Sequence, residues 1–157
     1  MARRATLREA YGWCRAYAAA HQENFTVISW VLPKQLRPHF SSLYSFCRWT
    51  DDLGDEAEGD RLQQLNDWER SLLRCYEGIR EEPIFQALGH TIDRYHIPPE
   101  PFLKLIEANR MDQSVTGFAT YEDLLAYCDR SATPVGRMVL YVLGYRDEER
   151  QRLSDAT

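Results

Sequence analysis

The chain has no C-x-x-C pair, no basic stripe, no strand-like alternation, no internal repeat and no low-complexity tract. Each absence excludes something. Four cysteines among 157 residues, Cys14, Cys47, Cys75 and Cys128, stand singly within helical patterns. They offer neither zinc spacing nor a compact disulfide framework, so reduced thiols and a cytoplasmic setting are expected. No run approaches the roughly 18 apolar residues of a membrane-spanning helix. Met1-Ala2-Arg3-Arg4 is basic, but no apolar stretch follows it as a secretory signal requires. A net charge of −5, without clustered Lys or Arg, argues against nucleic acid as a partner. His90 and His96 are not spaced for a metal, and surface or capping roles are expected for both.

What remains is an ordinary globular composition, 44% hydrophobic and 27% charged, arranged at helical spacing throughout. Thr6 with Glu9 three residues on is a capping box for a helix reaching about His21, with Ala10, Trp13, Cys14 and Tyr17 as its apolar stripe. Pro33 breaks the chain before a long central helix beginning near Lys34. Asp60 caps the next helix, whose Leu62, Leu65, Trp68, Leu72 and Tyr76 follow helical periodicity and which stops at Gly78. Glu82-Pro83 and Pro98-Pro99 punctuate helices over about 83–95 and 99–112. A last full helix opens at Tyr121 and runs to Gly144. Its Pro134 either kinks it or divides it after Thr133. A polar segment follows from Arg146. The expected fold class is all-α.

The central helix is apolar and aromatic through Leu43, Phe46, Cys47 and Thr50, then ends in Asp51-Asp52-Leu53-Gly54-Asp55-Glu56. Residues four apart share a helix face, so Asp51 projects beside Asp55, and Asp52 beside Glu56. A solvated acidic face is the commoner meaning of such a cluster. The apolar positions leading into it place these carboxylates instead at the end of a buried helix, facing a cavity. Paired carboxylate oxygens suit Mg²⁺, which takes one or two carboxylates plus substrate phosphates. Arg48 lies three and four residues before Asp51 and Asp52, and its planar fork suits a carboxylate or a phosphate. Gly54 lowers helix propensity but would let a ligand come close. The run Ala108-Asn109-Arg110-Met111-Asp112-Gln113 is more polar than a helix end requires, and Asp112 is either a supporting partner of the site or a surface acid.

Tyr44-x-x-Cys47-Arg48-x-x-Asp51-Asp52-x-x-Asp55 resembles the first aspartate-rich motif of the squalene and phytoene synthase family. Tyr127-Cys128-Asp129-Arg130-Ser131-Ala132-Thr133-Pro134-Val135-Gly136-Arg137 resembles that family's second signature. Two signatures in the right order are specific where one aspartate pair alone would be weak. The resemblance implies an isoprenoid-synthase-type helical bundle over residues 1–157 and a prenyl transferase that ionises an allylic diphosphate, farnesyl or presqualene diphosphate, with Mg²⁺. It implies Asp51 and Asp55 as metal ligands, with Asp52 supporting them. Arg48 would hold diphosphate, Phe25, Tyr44 and Tyr127 would line the cavity, and Val135 and Gly136 would shape it at a kink. Phe25 taken alone reads more readily as a core aromatic. Within the family, Glu23-Asn24-Phe25 and Ser131 to Arg137 look most like the hopanoid-pathway branch that turns presqualene diphosphate into hydroxysqualene. Greasy substrates of this kind would bring the protein to a membrane surface, although no strongly basic amphipathic helix supports such contact.

The resemblance extends over the amino-terminal half of the family's domain. Asp51 and Asp55 are the only two aspartates four apart in the chain, so the family's second aspartate-rich motif is absent. One carboxylate cluster does not make a two-sided metal clamp, and little synthase activity is expected of these residues alone. The rest would come from further sequence or from a partner chain. A catalytically incomplete helical subunit that binds a protein partner through its open core is the competing expectation. A terpene-type or trans-prenyl enzyme is a third, disfavoured by the Tyr127 to Gly136 signature.

Overall fold

A computed structural model of the chain describes residues 5–21 and 31–156. Those residues form eight helices and no strand: α1 (Leu7–Ala20), α2 (Arg37–Asp55), α3 (Arg61–Tyr76), α4 (Pro83–Tyr95), α5 (Glu100–Asp112), α6 (Tyr121–Ser131), α7 (Thr133–Val142) and α8 (Glu148–Asp155). The local chemistry explains most of the boundaries. Thr6 and Glu9 form the expected capping box on α1, and the Asp60 side chain accepts from the Gln63 amide to start α3. Gly78, at φ 86°, ends that helix. His96 caps the end of α4 in the left-handed conformation, at φ 55°.

Two helix ends differ from the sequence expectation, and of the two alternatives at Pro134 the structure shows the divided helix. The central helix begins at Arg37, not Lys34, with Pro38 in its first turn, where a missing amide hydrogen costs nothing. The stretch 121–144 is two helices meeting at Ala132, which keeps right-handed angles (φ −93°, ψ −49°), and the second ends at Val142. Pro134 sits in the first turn of α7, so it is accommodated by a new helix start. Leu62, assigned to the apolar stripe of α3, is 48% exposed, and Cys75 completes that stripe instead.

α2 is the hub, packing against α1, α3, α4, α5 and α7, while α1 also lies along α4. Four aromatics from four helices meet at Phe46 of α2: Trp68 stacks on it at 5.4 Å, and Phe102 and Phe85 approach edge-on at 5.1 and 6.4 Å. Such rings dominate core energetics through buried area and favourable quadrupole geometry. Small buried residues on α2 let its neighbours come close, and each is satisfied. Ser45 donates to the Cys14 carbonyl of α1, and Ser42 to its own helix at His39. His90 departs from its surface assignment. It is half-buried, hydrogen-bonded to the Tyr11 hydroxyl and stacked over His39.

Candidate functional site

The last turns of α2 divide the acidic cluster between two neighbours. Asp51 turns toward α5, where Asn109 Nδ2 donates to its Oδ1 at 3.2 Å. Asp52 turns toward α1, where Tyr17 donates its hydroxyl hydrogen to Oδ2 at 2.5 Å and His21 Nε2 lies 3.9 Å away. The 100° rotation per residue of an α-helix sends adjacent carboxylates to different partners.

On the α1 side, Arg48 Nη2 stands 2.6 Å from Asp52 Oδ1 and 3.2 Å from Glu56 Oε1. Burial works against the Arg48 charge, but Asp52 and Glu56 outweigh it and hold the guanidinium above its ordinary pKa. Its Nε is buried without a hydrogen-bond partner among the described residues. Arg48 therefore faces the Asp52–Glu56 side of the helix. Burial, and then the Asp52 carboxylate, push the Tyr17 phenol well above its usual range, which keeps it a donor.

On the α5 side, burial raises the Asp51 pKa. Asn109 offsets part of this, and the Asp55 charge adds to it. Asp55 is exposed, and its side chain makes no ion pair or hydrogen bond with a described residue. Tyr127, on α6, donates to Asp112 Oδ2 at 3.0 Å. Burial, Asp112 and then the fields of Asp51 and Asp55 push its phenol up to about 12. Asp112 is thus the hydrogen-bond partner of Tyr127, and it has no direct bond to Asp51 or Asp55 among the described residues.

The donor set bears directly on Mg²⁺. No cluster of three His, Cys, Asp or Glu able to hold a metal occurs among the described residues. Two carboxylates on one face, one of them held against its like-charged neighbour, do suit a cation that completes its shell with phosphate oxygens and water. Asp51 and Asp55 are the residues that would hold it.

The other predicted positions fall in several places. Tyr44 is half-buried and donates to the His21 carbonyl at 2.7 Å. Val135 is 38% exposed on α7. Gly136 faces α8, where an added Cβ would stand 2.6 Å from Ser154 Oγ. Phe25 and the Glu23-Asn24-Phe25 stretch lie outside the described residues. Gly54 corrects its sequence reading. It is buried beneath α5, with an added Cβ falling 2.5 Å from Asn109 Oδ1, so it admits a helix and not a ligand. Tyr17, His21, Asn109 and Gln113 were not recognised as site residues. The spacing of Asn109 and Gln113, one turn apart in an over-polar run, was the available signal.

Residues 18–157 match the squalene/phytoene synthase family. The chain belongs to that family. It is 37% identical over 142 residues to a 15-cis-phytoene synthase of Synechococcus elongatus, covering 89% of this chain and 46% of that protein. It is 35% identical over 133 residues to the presqualene diphosphate synthase of Zymomonas mobilis, covering 81% and 45%. The crystal structure of the squalene synthase HpnC from Alicyclobacillus acidocaldarius superposes with a TM-score of 0.93 at 51% identity, over 96% of this chain and 57% of that one. The chain spans about half the length of the curated relatives it matches. The all-helical fold is that of this family, and these relatives are all named as synthases. No helix among the described residues is long and apolar enough to cross a membrane.

Proposed function

We propose that these residues form one wall of a synthase active site acting on prenyl diphosphates. The carrying observation is the half-buried Asp51 beside Asp55 at the end of α2, inside a chain of the squalene/phytoene synthase family. Mg²⁺, when bound, would neutralise the diphosphate and favour its departure as a leaving group. Asp51 and Asp55 would hold it, with Asp52 fixing Arg48 on the adjacent face. Released from Asp52 or Glu56, the Arg48 fork would also serve a diphosphate oxygen. Tyr127 and Tyr44, with Phe25, would present aromatic faces to a carbocation and keep water from it. The 51% identity to the squalene synthase HpnC supports a squalene-type reaction. The hopanoid-branch likeness of Glu23-Asn24-Phe25 and of Ser131 to Arg137 is our ground for reading presqualene diphosphate as substrate and hydroxysqualene as product. Contact with a membrane surface would follow from the greasiness of such substrates.

The test is a titration of the chain with farnesyl, geranylgeranyl and presqualene diphosphates, with and without Mg²⁺. Mg²⁺-dependent binding, tightest for presqualene diphosphate and lost in Asp51→Asn and Asp55→Asn, is expected. Binding that ignores both Mg²⁺ and these substitutions would refute the assignment. Tightest binding of geranylgeranyl diphosphate would move the chain to the phytoene branch.

A further inference from the structure

Helix α5 reaches the Asp51 carboxylate of α2 through Asn109. Asn109 is 5% exposed. Its Nδ2 donates to Asp51 Oδ1 at 3.2 Å and to the Leu105 carbonyl at 3.1 Å. Its Oδ1 lies over Gly54, so near that a Cβ added there would stand 2.5 Å from this oxygen and 3.3 Å from Asn109 Cβ and Cγ. One turn further on, Gln113 Nε2 donates to the carbonyls of Gly54 and Asn109, both at 2.9 Å. Arg61 Nη1 also donates to the Gly54 carbonyl, at 3.2 Å. That carbonyl belongs to the last turn of α2, where no helical amide is available to it. Three side chains thus converge on one residue of the motif.

Glycine inside a helix costs about 1 kcal/mol relative to alanine. No turn or positive φ calls for it at position 54, which lies within α2. The close approach of Asn109 does call for it. A donor at Asp51 that carries no charge also matters. A lysine or arginine there would form an ion pair and compete with a cation, whereas an amide orients the carboxylate and leaves its charge in place. Asp51 Oδ2 makes no hydrogen bond to a described residue and stays available.

We propose that Asn109 is a positioning residue for the acidic motif: its amide fixes the Asp51 carboxylate, and position 54 is glycine so that the amide can reach it. The role in ligand binding rests on reading Asp51 as a ligand of the Mg²⁺–diphosphate pair. The contact itself does not.

Two measurements separate these. In ¹⁵N-labelled protein without metal, the Asn109 side-chain amide hydrogens should exchange with solvent at least about tenfold more slowly than those of exposed Asn66. That protection should fall in Asp51→Ala and in Gly54→Ala. In a titration with Mg²⁺ and inorganic pyrophosphate, Asn109→Ala and Gly54→Ala should each weaken binding by about 10- to 100-fold. The double variant Gly54→Ala/Asn109→Ala relieves the clash. It should recover the thermal midpoint lost in Gly54→Ala while binding no better than Asn109→Ala alone. A purely packing role predicts that binding recovers with stability. Amide exchange at Asn109 as fast as at Asn66, or wild-type binding by Asn109→Ala, would overturn the proposal. Failure of the unaltered chain to bind Mg²⁺ and pyrophosphate would remove the functional reading, and amide exchange in the two single variants would still decide the contact.

Discussion

The Trp68 indole N–H donates to the Thr50 hydroxyl at 2.9 Å across the buried face between α3 and α2. Thr50 passes its own hydrogen to the Phe46 carbonyl at 2.8 Å. The residue immediately before Asp51 is therefore tied to a second helix, which fixes the rotation at which α2 presents its carboxylates.

Thr50→Val keeps the shape and removes the acceptor, leaving the indole hydrogen buried and unpaired. A loss of about 1–3 kcal/mol of stability is expected, read from urea unfolding followed by tryptophan fluorescence. An unfolding midpoint equal to that of the unaltered chain would show that Trp68 does not depend on this bond.

The helices were legible because their signals are local. Thr6 with Glu9, Asp60 and Gly78 act within a turn of themselves, and α1 and α3 begin or end where those residues put them. The acidic motif was legible because i, i+4 spacing is a property of one helix. Its partners were not, since Asn109 lies 58 residues from Asp51 and Tyr17 lies 35 from Asp52. A sequence shows that Tyr17 belongs to an apolar stripe but not that its hydroxyl overhangs another helix's carboxylate. Gly54 failed for the same reason, because its neighbour comes from α5. Pro134 was ambiguous in principle, since a kink and a new first turn use the same residue.

Helix α8 offers a separate test. Arg137 on α7 grips Asp155 with two donors, Nε to Oδ1 at 2.8 Å and Nη2 to Oδ2 at 2.5 Å, and Gly136 beside it lets Ser154 approach. Arg137→Lys keeps the charge and loses the fork. A loss of about 1 kcal/mol is expected, because the pair is partly solvated, together with faster amide exchange confined to α8. Unchanged exchange there would mean that Gln151, buried and bonded to the Tyr145 carbonyl, holds the helix alone.

The polar network between α1, α2 and α4 predicts an acid sensitivity. The Tyr11 hydroxyl shares hydrogen bonds with His39 Nδ1 at 3.0 Å and His90 Nδ1 at 2.8 Å, and Thr91 bonds both Tyr11 and His39. Burial, then the His90 and Arg94 charges, lower the His39 pKa from 6.5 to about 4. The unfolded chain therefore takes up this proton more readily than the folded one. The stabilisation is fully present above about pH 6.5 and is lost progressively as pH falls through about 4. Urea midpoints across that window should decline with acidity, and His39→Gln should flatten the decline. An equal slope in both proteins would place the sensitivity elsewhere.

Asp51 should show stability and binding moving in opposite directions. Burial raises its pKa above the ordinary 3.8, Asn109 lowers it, and the Asp55 charge raises it further. The net shift is upward, so folding disfavours the charged form, and stability is lost as pH rises past that ordinary value. Asp51→Asn removes the charge and keeps an oxygen for Asn109 to donate to. Without metal, its thermal midpoint should exceed that of the unaltered chain at neutral pH, and the gap should close as pH falls toward 3.8. The same variant should lose Mg²⁺-dependent pyrophosphate binding. A residue that weakens its own fold and strengthens a ligand complex is retained for the ligand. A less stable Asp51→Asn protein would identify Asp51 as a structural acid, and the acidic end of α2 would then owe its sequence to packing.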